Sequence, residues 1–189
     1  MKNRKIVRAL YDKNTITVYQ AFNNQVADSA LKAQTFVPPF FKMDRMTWIK
    51  PSFLWMMYRS DWGTKENQER ILEIKILRSG FDWALNNSCP SHFDQQSNEA
   101  FERWNKRVKN TSVIIQWDPE RDIYLNRLPY RSIQVGLRNE ALESYIYKWI
   151  VSITDISLKC QNLKELIDKN SKSTIQNLLP IENEYSLTI

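Results

Sequence analysis

RILEIKIL (residues 70–77) is the stretch that best predicts the fold of this chain. Its apolar and charged residues alternate, so that Leu72, Ile74 and Ile76 point one way and the charged residues between them point the other. A period of two is that of a β-strand with one buried face and one wet face. Strands of this kind are typical of antiparallel sheets, so the stretch predicts such a sheet with helices laid against it.

Other segments extend this pattern in both directions. Strands are predicted at ITVYQAF (16–22), SVIIQW (112–117) and YRSIQVGL (130–137), which are rich in β-branched and aromatic residues. Helices are predicted in VADSALKA (26–33), from Pro51 to about Arg59, in GFDWALNN (80–87), in EAFERWNKRV (99–108), after Asn139, in LKCQNLKELI (158–167) and in TIQNLL (174–179). NSCPSHFDQQ (87–96) is predicted to be a loop, and DPERD (118–122) a tight polar turn. The dense charges of that turn, on Asp118, Glu120, Arg121 and Asp122, are interpreted as a solvated hairpin with local ion pairs, with a second candidate site as the alternative.

These elements together predict an α+β fold. We expect one compact domain over residues 14–189, with a mostly antiparallel sheet, helices packed against it and further helices at the C-terminal end. Residues 1–13 are predicted to form a basic N-terminal arm, because five of them are Lys or Arg and only one is acidic. The alternative interpretation is that these residues form a solvated terminus with no function in binding.

Composition limits the class of protein. The 189 residues favour one domain, and they include 7 Trp, only 3 Gly and a net charge of +6. A positive balance favours anionic partners such as nucleotides or nucleic acid, although a generally basic surface gives the same number. Two cysteines and one histidine without metal-ligand spacing predict neither a zinc site nor a disulfide framework, and so fit a cytoplasmic protein.

Several common motifs are absent from the sequence. Three scattered glycines cannot build the Gly-rich phosphate loop of a dinucleotide-binding or P-loop domain. Cys89 and His92 could pair as nucleophile and base, but a loop histidine without a catalytic task is the commoner case. No secretory leader is predicted, and no uncharged apolar run reaches the roughly 18–20 residues that span a bilayer. We therefore expect no membrane partner, and no feature predicts an oligomeric state.

RMTWIKPSFLWMMYRSDWG (45–63) is the richest candidate site. An alternating polar and aromatic set recurs in it at steps of three and four: Arg45, Trp48, Ser52, Trp55, Arg59 and Trp62. A second, wholly apolar set is predicted to face the core: Ile49, Phe53, Met56 and Met57. On a helix the first set forms one stripe, whose indoles can stack on flat rings and whose guanidinium groups can hold phosphate. The alternative is that the tryptophans are core and the arginines extend to solvent.

Polar residues outside this segment extend the candidate site. Tyr19 and Gln20 lie on the first long predicted strand. Arg131, Ser132 and Gln134 lie on the strand at 130–137, where Ser132 and Gln134 face away from its apolar side. Each of these sets could line a site, and the alternative is that it forms a solvent-exposed face of the sheet.

The chain resembles the family catalogued as domain of unknown function 4291, from about Tyr19 to Ile153. The stretches that carry the resemblance are VYQAF, FVPPF, RMTWIKPSFLWMMYRSDWGTKENQE, QWDPERD, LPYRSIQVGL and KWIVSITD. This resemblance implies no particular activity and no catalytic residues.

The order of elements is also similar to that of ADP-ribosyltransferase-like domains, small α+β folds that hold NAD in a cleft without a Gly-rich loop. This similarity implies that Tyr19 and Gln20 lie near the first NAD-binding strand and that residues 45–59 line the cleft. It also implies that Gln134 takes the late acidic position. The chain departs from the pattern there, since a Gln replaces the usual Glu, and the first strand lacks the expected Arg or His.

The sequence thus predicts an enzyme that binds a nucleotide cofactor, with NAD-dependent ADP-ribosyl transfer to a nucleic-acid or protein acceptor as the best-specified version. The candidate catalytic residues are Gln134, Glu69 and Arg131. The candidate cofactor-binding residues are Tyr19, Gln20, Arg45, Trp48, Lys50, Ser52, Trp55, Tyr58, Arg59 and Ser132. The alternative is a non-catalytic nucleic-acid-binding module that uses the same Arg/Trp stripe, and a third reading is a protein-interaction domain with Trp and Arg hot spots.

Overall fold

Strands and helices are interleaved along the chain in the computed structural model, which describes residues 4–169, 175 and 177–187. The strands are β1 (Arg4–Lys5), β2 (Arg8–Ala9), β3 (Thr15–Phe22), β4 (Thr47–Ile49), β5 (Arg70–Leu77), β6 (Ser88–Pro90), β7 (Val113–Arg121), β8 (Arg127–Leu137), β9 (Ile150–Asp155) and β10 (Asn183–Glu184). The helices are α1 (Asn24–Ala33), α2 (Phe53–Ser60), α3 (Arg78–Asn86), α4 (Phe101–Asn110), α5 (Asn139–Ser144), which continues into a π-helical turn (Tyr145–Trp149), and α6 (Ser157–Asp168). None of these helices is long and apolar enough to cross a membrane.

Two sheets form the framework. In the first, β8 pairs with β7 on one edge and with β1 and β4 on the other, and β6 pairs with β7. In the second, β5 lies between β3 and β9, and all pairings are antiparallel. The backbone N–H of Tyr19 donates to the carbonyl of Lys50 at 2.7 Å and joins the two sheets. The predicted α+β class with mostly antiparallel strands is confirmed.

The strand RILEIKIL behaves as its alternation predicts. Leu72, Ile74 and Ile76 are fully buried, whereas Lys75 is exposed. Ile74 lies opposite Val18 of β3, so that apolar side chains of neighbouring strands share the face that packs into the main core.

Helix α2 is shorter than the stripe hypothesis requires. Ser52 caps it, with its hydroxyl accepting from the N–H of Trp55 at 3.2 Å, and Asp61 ends it in the left-handed conformation. The four residues of the predicted apolar set are all buried, but Ile49 lies in β4 and packs into the main core, so only Phe53, Met56 and Met57 of this set lie on the buried face of α2. Trp48, however, lies in β4, and Arg45 lies in the loop before it. The helix predicted from Pro51 to about Arg59 is close to the observed one, and Arg45 and Trp48 do not continue its stripe, because the extended chain at Pro51 and Ser52 precedes the first helical turn.

The polar segment DPERD is also placed differently. Residues 118–121 continue β7, and the turn falls at residues 122–126. The carboxylate of Asp122 holds this turn by accepting from the N–H groups of Tyr124 and Asn126, each at 2.9 Å. The ladder shifts register between Pro119 and Arg121, which is where a strand tolerates a proline. The predicted turn at 118–122 was wrong, and Asp118 and Glu120 are sheet residues.

Residues 8–9 pair with residues 183–184, so segments far apart in the sequence are neighbours in the structure. Strand β1 of the predicted basic arm pairs in parallel with β8, and β2 pairs with β10 near the C-terminus. The loop predicted at 87–96 contains the short strand β6. Asn139 is the first residue of α5, and Arg138 takes the cap position predicted for it. The short helix predicted at 174–179 lies partly outside the described residues.

Candidate functional site

A cleft of about 520 Å³ opens between β3, β4, α2 and the loop before β4. We call it the cationic cleft. Its basic lining residues are Lys42, Arg45, Lys50 and Arg59, and its aromatic ones are Phe22, Phe40, Phe41 and Trp48. Side-chain amides complete the wall: Gln20, Asn23, Asn67 and Gln68. The lining set contains no Asp or Glu, so the cleft is positively charged and suits an anion.

Trp48 is the tryptophan that reaches this cleft. It is half-buried on β4, opposite Gly136 of β8. A Cβ atom placed on Gly136 would lie 3.0 Å from Cη2 of Trp48 and 2.5 Å from Sδ of Met46. Gly136 therefore gives the indole room to lie against the sheet beside the cleft.

We expect Gly136→Ala to displace Trp48 and Met46 and to destabilise the protein by about 1–3 kcal/mol, as overpacking of a filled site does. The double variant Gly136→Ala/Met46→Ala removes the closest contact, so its loss of stability should be smaller than the sum of the losses in the two single variants. Urea denaturation of the four proteins measures this coupling. Strictly additive effects would contradict the packing role assigned to Gly136.

Lys50 lies deepest among the basic residues of the cleft. It is only 7% exposed, and its Nζ donates to the carbonyl of Trp48 at 2.8 Å. The ring centroid of Trp55 is 5.9 Å from Nζ, and no carboxylate forms an ion pair with it in the part of the chain that the structure describes. Burial, together with the nearby charge of Arg59 and against an opposing effect of Asp118, lowers the pKa of Lys50 from 10.5 to about 7. Near neutral pH a large fraction of this amine is uncharged.

Gln20 and Tyr19 point to opposite sides of β3. The amide nitrogen of Gln20 donates to Oγ1 of Thr47 at 2.7 Å, and its oxygen accepts from the hydroxyl of Tyr145 at 2.8 Å. This side chain is thus held rigidly in the wall of the cationic cleft. Tyr19 is fully buried in a second core cluster, and its hydroxyl has no hydrogen-bond partner among the described residues. Burial raises the pKa of Tyr19, which lies outside the cleft.

The remaining members of the segment 45–63 separate into three environments. Trp55 and Trp62 are core residues, 5% and 2% exposed. Arg59 is exposed at the cationic cleft, where its Nη1 donates to Oε1 of Gln68 at 3.3 Å. Tyr58 points elsewhere and stacks under the guanidinium of Arg121 at 3.5 Å. Ser52 lines a different cleft, described below.

The residues predicted to be catalytic do not line the cationic cleft. Gln134 donates to Oδ2 of Asp118 at 2.7 Å on the face of the first sheet. Arg131 donates to the carbonyl of Trp117 at 2.9 Å and lines a separate cleft of about 400 Å³. Glu69 follows Asn67 and Gln68 at the rim, where its Oε1 accepts from the N–H of Asn67 at 2.7 Å.

A second cleft, of about 420 Å³, brings two carboxyl groups together, and we call it the carboxyl cleft. Glu120 is buried beside Ser52 and Ser132, and accepts from the N–H of Arg121 at 2.8 Å. Glu182 accepts from the N–H of Phe53, at the start of α2, at 2.6 Å. Burial and the charge of Glu120 together raise the pKa of Glu182 to about 8, against the lowering effects of the Phe53 N–H and of Arg8. Burial also raises the pKa of Glu120.

Sequence reasoning missed this second cleft. Glu182 follows the helical tail and carries no local signal, whereas Glu120 was placed in a solvated turn. The alternation of Gln116, Asp118 and Glu120 along one face of β7 is the signal that could have identified the polar row. Within residues 4–169, 175 and 177–187, no group of three His, Cys, Asp or Glu residues is arranged to hold a metal ion.

The fold and the site thus define the class of the protein: an α+β domain with a cationic cleft beside its sheets. Residues 6–185 match the family described as Domain of unknown function (DUF4291), and the chain belongs to that family. No curated protein matches the sequence.

Proposed function

We propose that the cationic cleft binds a nucleotide through its phosphates, with NAD and ADP-ribose as the best-specified ligands. The observation that supports this most is a lining with four basic side chains, no acidic one and a half-buried indole. Guanidinium groups bind phosphate with two parallel hydrogen bonds, and indoles stack on flat rings. The cleft volume of about 520 Å³ lies in the range of small-molecule sites.

Charge and exposure assign roles within the cleft. Arg45 and Arg59 are exposed at its mouth, and neither forms an ion pair with a carboxylate of the described chain. Their guanidinium groups are therefore available to a pyrophosphate. Trp48 offers a ring for stacking, and the side-chain nitrogen of Asn23, whose oxygen accepts from the N–H of Val26, can donate to a ribose hydroxyl.

The catalytic version of this proposal is NAD-dependent ADP-ribosyl transfer. In that reaction an acceptor nucleophile forms a bond to the ribose carbon, the bond to nicotinamide breaks, and the acceptor releases its proton. Binding and orientation in a charged cleft contribute most of what such a reaction needs. Gln134 and Arg131 lie outside the cleft, so we assign the binding role to the cleft and no catalytic role to these two residues.

Isothermal titration calorimetry with NAD, ADP-ribose and AMP tests the proposal. We expect Arg45→Ala and Arg59→Ala each to weaken binding of ADP-ribose by about tenfold, since a hydrogen bond to a charged group contributes about 1.5–3 kcal/mol. Arg103→Ala on α4 is the matched control, because it removes the same charge from an exposed position outside the cleft.

Two outcomes would contradict this function. Absence of binding by every ligand at millimolar concentration is the first, and an equal loss in the Arg103→Ala control is the second. Tight binding of a single-stranded oligonucleotide, with an affinity that falls steeply with salt and is competed by no nucleotide, would favour the nucleic-acid-binding alternative.

A further inference from the structure

We propose that Lys50 is a nucleophilic amine that forms an imine with the aldehyde carbon of a phosphorylated sugar, with ADP-ribose as the ligand of this class to test. The inference rests on the proposed function, because the phosphate must be held by the same cationic cleft. It adds a covalent role for a residue that the sequence indicated only as a candidate for cofactor binding.

The basic groups lie at different depths in the cationic cleft. Lys42, Arg45 and Arg59 are exposed at the mouth, whereas Lys50 is buried at 7% exposure. A ligand with an anionic end and an uncharged reactive end fits this order, with its phosphate at the mouth and its carbonyl at the buried amine. Lys50 is poorly placed to be a simple phosphate ligand, since charging it in this position is disfavoured by burial.

The immediate surroundings of Nζ are the second argument. One donor position is used by the carbonyl of Trp48, and the ring of Trp55 covers another side. The charged groups that act on the amine are Arg59 from α2 and Asp118 from β7. The burial that lowers the pKa of Lys50 to about 7 leaves a lone pair available on part of the molecules at neutral pH.

The proposed step balances without a further reactant. The nitrogen lone pair attacks the aldehyde carbon of the open-chain sugar, and the carbonyl electron pair moves to oxygen. The two protons that the nitrogen loses go to that oxygen, which leaves as water, and a C=N double bond remains between ligand and Lys50. No oxidation or reduction occurs until a hydride reagent is added as a trap.

Reductive trapping tests the inference on the full-length chain. The protein is incubated with ADP-ribose and cyanoborohydride, which converts the imine into a stable amine, and is then digested and analysed by mass spectrometry. We expect the adduct on Lys50 to form roughly tenfold faster than on Lys42, an exposed lysine of the same cleft that serves as internal control. Free ribose, which lacks phosphate, should label Lys50 much more slowly.

Variants separate the covalent step from binding. Arg45→Ala should slow the labelling of Lys50 by ADP-ribose and leave labelling by ribose unchanged. Lys50→Met should leave only the slow labelling of Lys42 in the cleft while calorimetry still shows ADP-ribose binding. Circular dichroism confirms that each variant is folded.

The outcomes distinguish this inference from the function on which it rests. Binding of ADP-ribose without an adduct on Lys50, or equal labelling of Lys42 and Lys50, overturns the imine and leaves the nucleotide-binding function standing. Absence of binding in calorimetry overturns the function, and rapid labelling of Lys50 by ribose in that case would still support a nucleophilic amine but overturn its phosphorylated substrate.

Discussion

Replacement of Lys50 by Met is expected to stabilise the protein by roughly 4 kcal/mol near neutral pH. The pKa of Lys50 falls from 10.5 to about 7 on folding, and one pKa unit corresponds to about 1.4 kcal/mol, which gives roughly 5 kcal/mol in all. Loss of the hydrogen bond from Nζ offsets about 1 kcal/mol of this. The carbonyl of Trp48 keeps a partner in the variant, because Nε2 of Gln20 also donates to it at 3.2 Å.

The pH dependence of this effect has a definite sign. The folded protein binds fewer protons than the unfolded chain between pH 7 and pH 10.5, so the contribution of Lys50 to stability rises through that window. Its penalty is fully present below pH 7 and is lost as the pH approaches 10.5. The advantage of Lys50→Met should therefore shrink steadily over the same range.

Urea denaturation of wild type and Lys50→Met from about pH 6 to about pH 10 measures this difference in the free energy of unfolding. Lys42→Met is the matched control, since it makes the same substitution at an exposed lysine at the mouth of the cleft. A variant that is less stable than wild type at neutral pH, or a difference that does not vary with pH, would show that Lys50 is an ordinary charged lysine.

Replacement of Glu182 by Gln is expected to stabilise the protein above pH 8 by roughly 3 kcal/mol. Its pKa rises from 4.5 to about 8 on folding, and the discount from the full shift reflects the partial exposure of the residue. The Gln oxygen can still accept from the N–H of Phe53, so the hydrogen bond at the start of α2 is kept. Removing this charge should also lower the pKa of Glu120, its neighbour in the carboxyl cleft.

The pH dependence that Glu182 gives to the stability has the opposite sign to that of Lys50. The folded state binds an extra proton between pH 4.5 and pH 8, so wild-type stability falls as the pH rises through that window. The advantage of the variant should therefore grow as the pH rises through that window and reach its full size above pH 8. Glu184→Gln, two residues along in β10, is the control because its ion pair with Arg4 is exposed and contributes little. Equal responses of the two variants would contradict the assignment.

Both predictions concern a buried ionisable group, Lys50 or Glu182, that lowers the stability of the folded protein. Such groups cluster where a protein needs a reactive amine or carboxyl at neutral pH. The cationic cleft and the carboxyl cleft each hold one, and they share the segment 50–59, since Lys50 and Arg59 line the first and Ser52 lines the second. A ligand in one cleft therefore lies one helix away from the other.

Much of the fold could be predicted from the sequence because periodicity is a local property. The alternation in RILEIKIL places Ile74 in the core wherever the strand lies, and the spacing of Phe53, Met56 and Met57 does the same for α2. The candidate site could be predicted in part: Arg45, Trp48, Lys50 and Arg59 line one cleft. Gln20 joins them there.

By itself, the sequence determined the class of fold, the core faces of its strands and helices, and the segment that carries the site. Tertiary structure alone decided which aromatic residue faces a ligand. Trp48 and Trp55 have the same chemistry and fit the same spacing, but β8 leaves Trp48 beside a cleft through Gly136, whereas the second core cluster encloses the neighbourhood of Trp55. Exposure and the pKa of a buried group depend on what packs against a residue, and those neighbours come from distant parts of the chain.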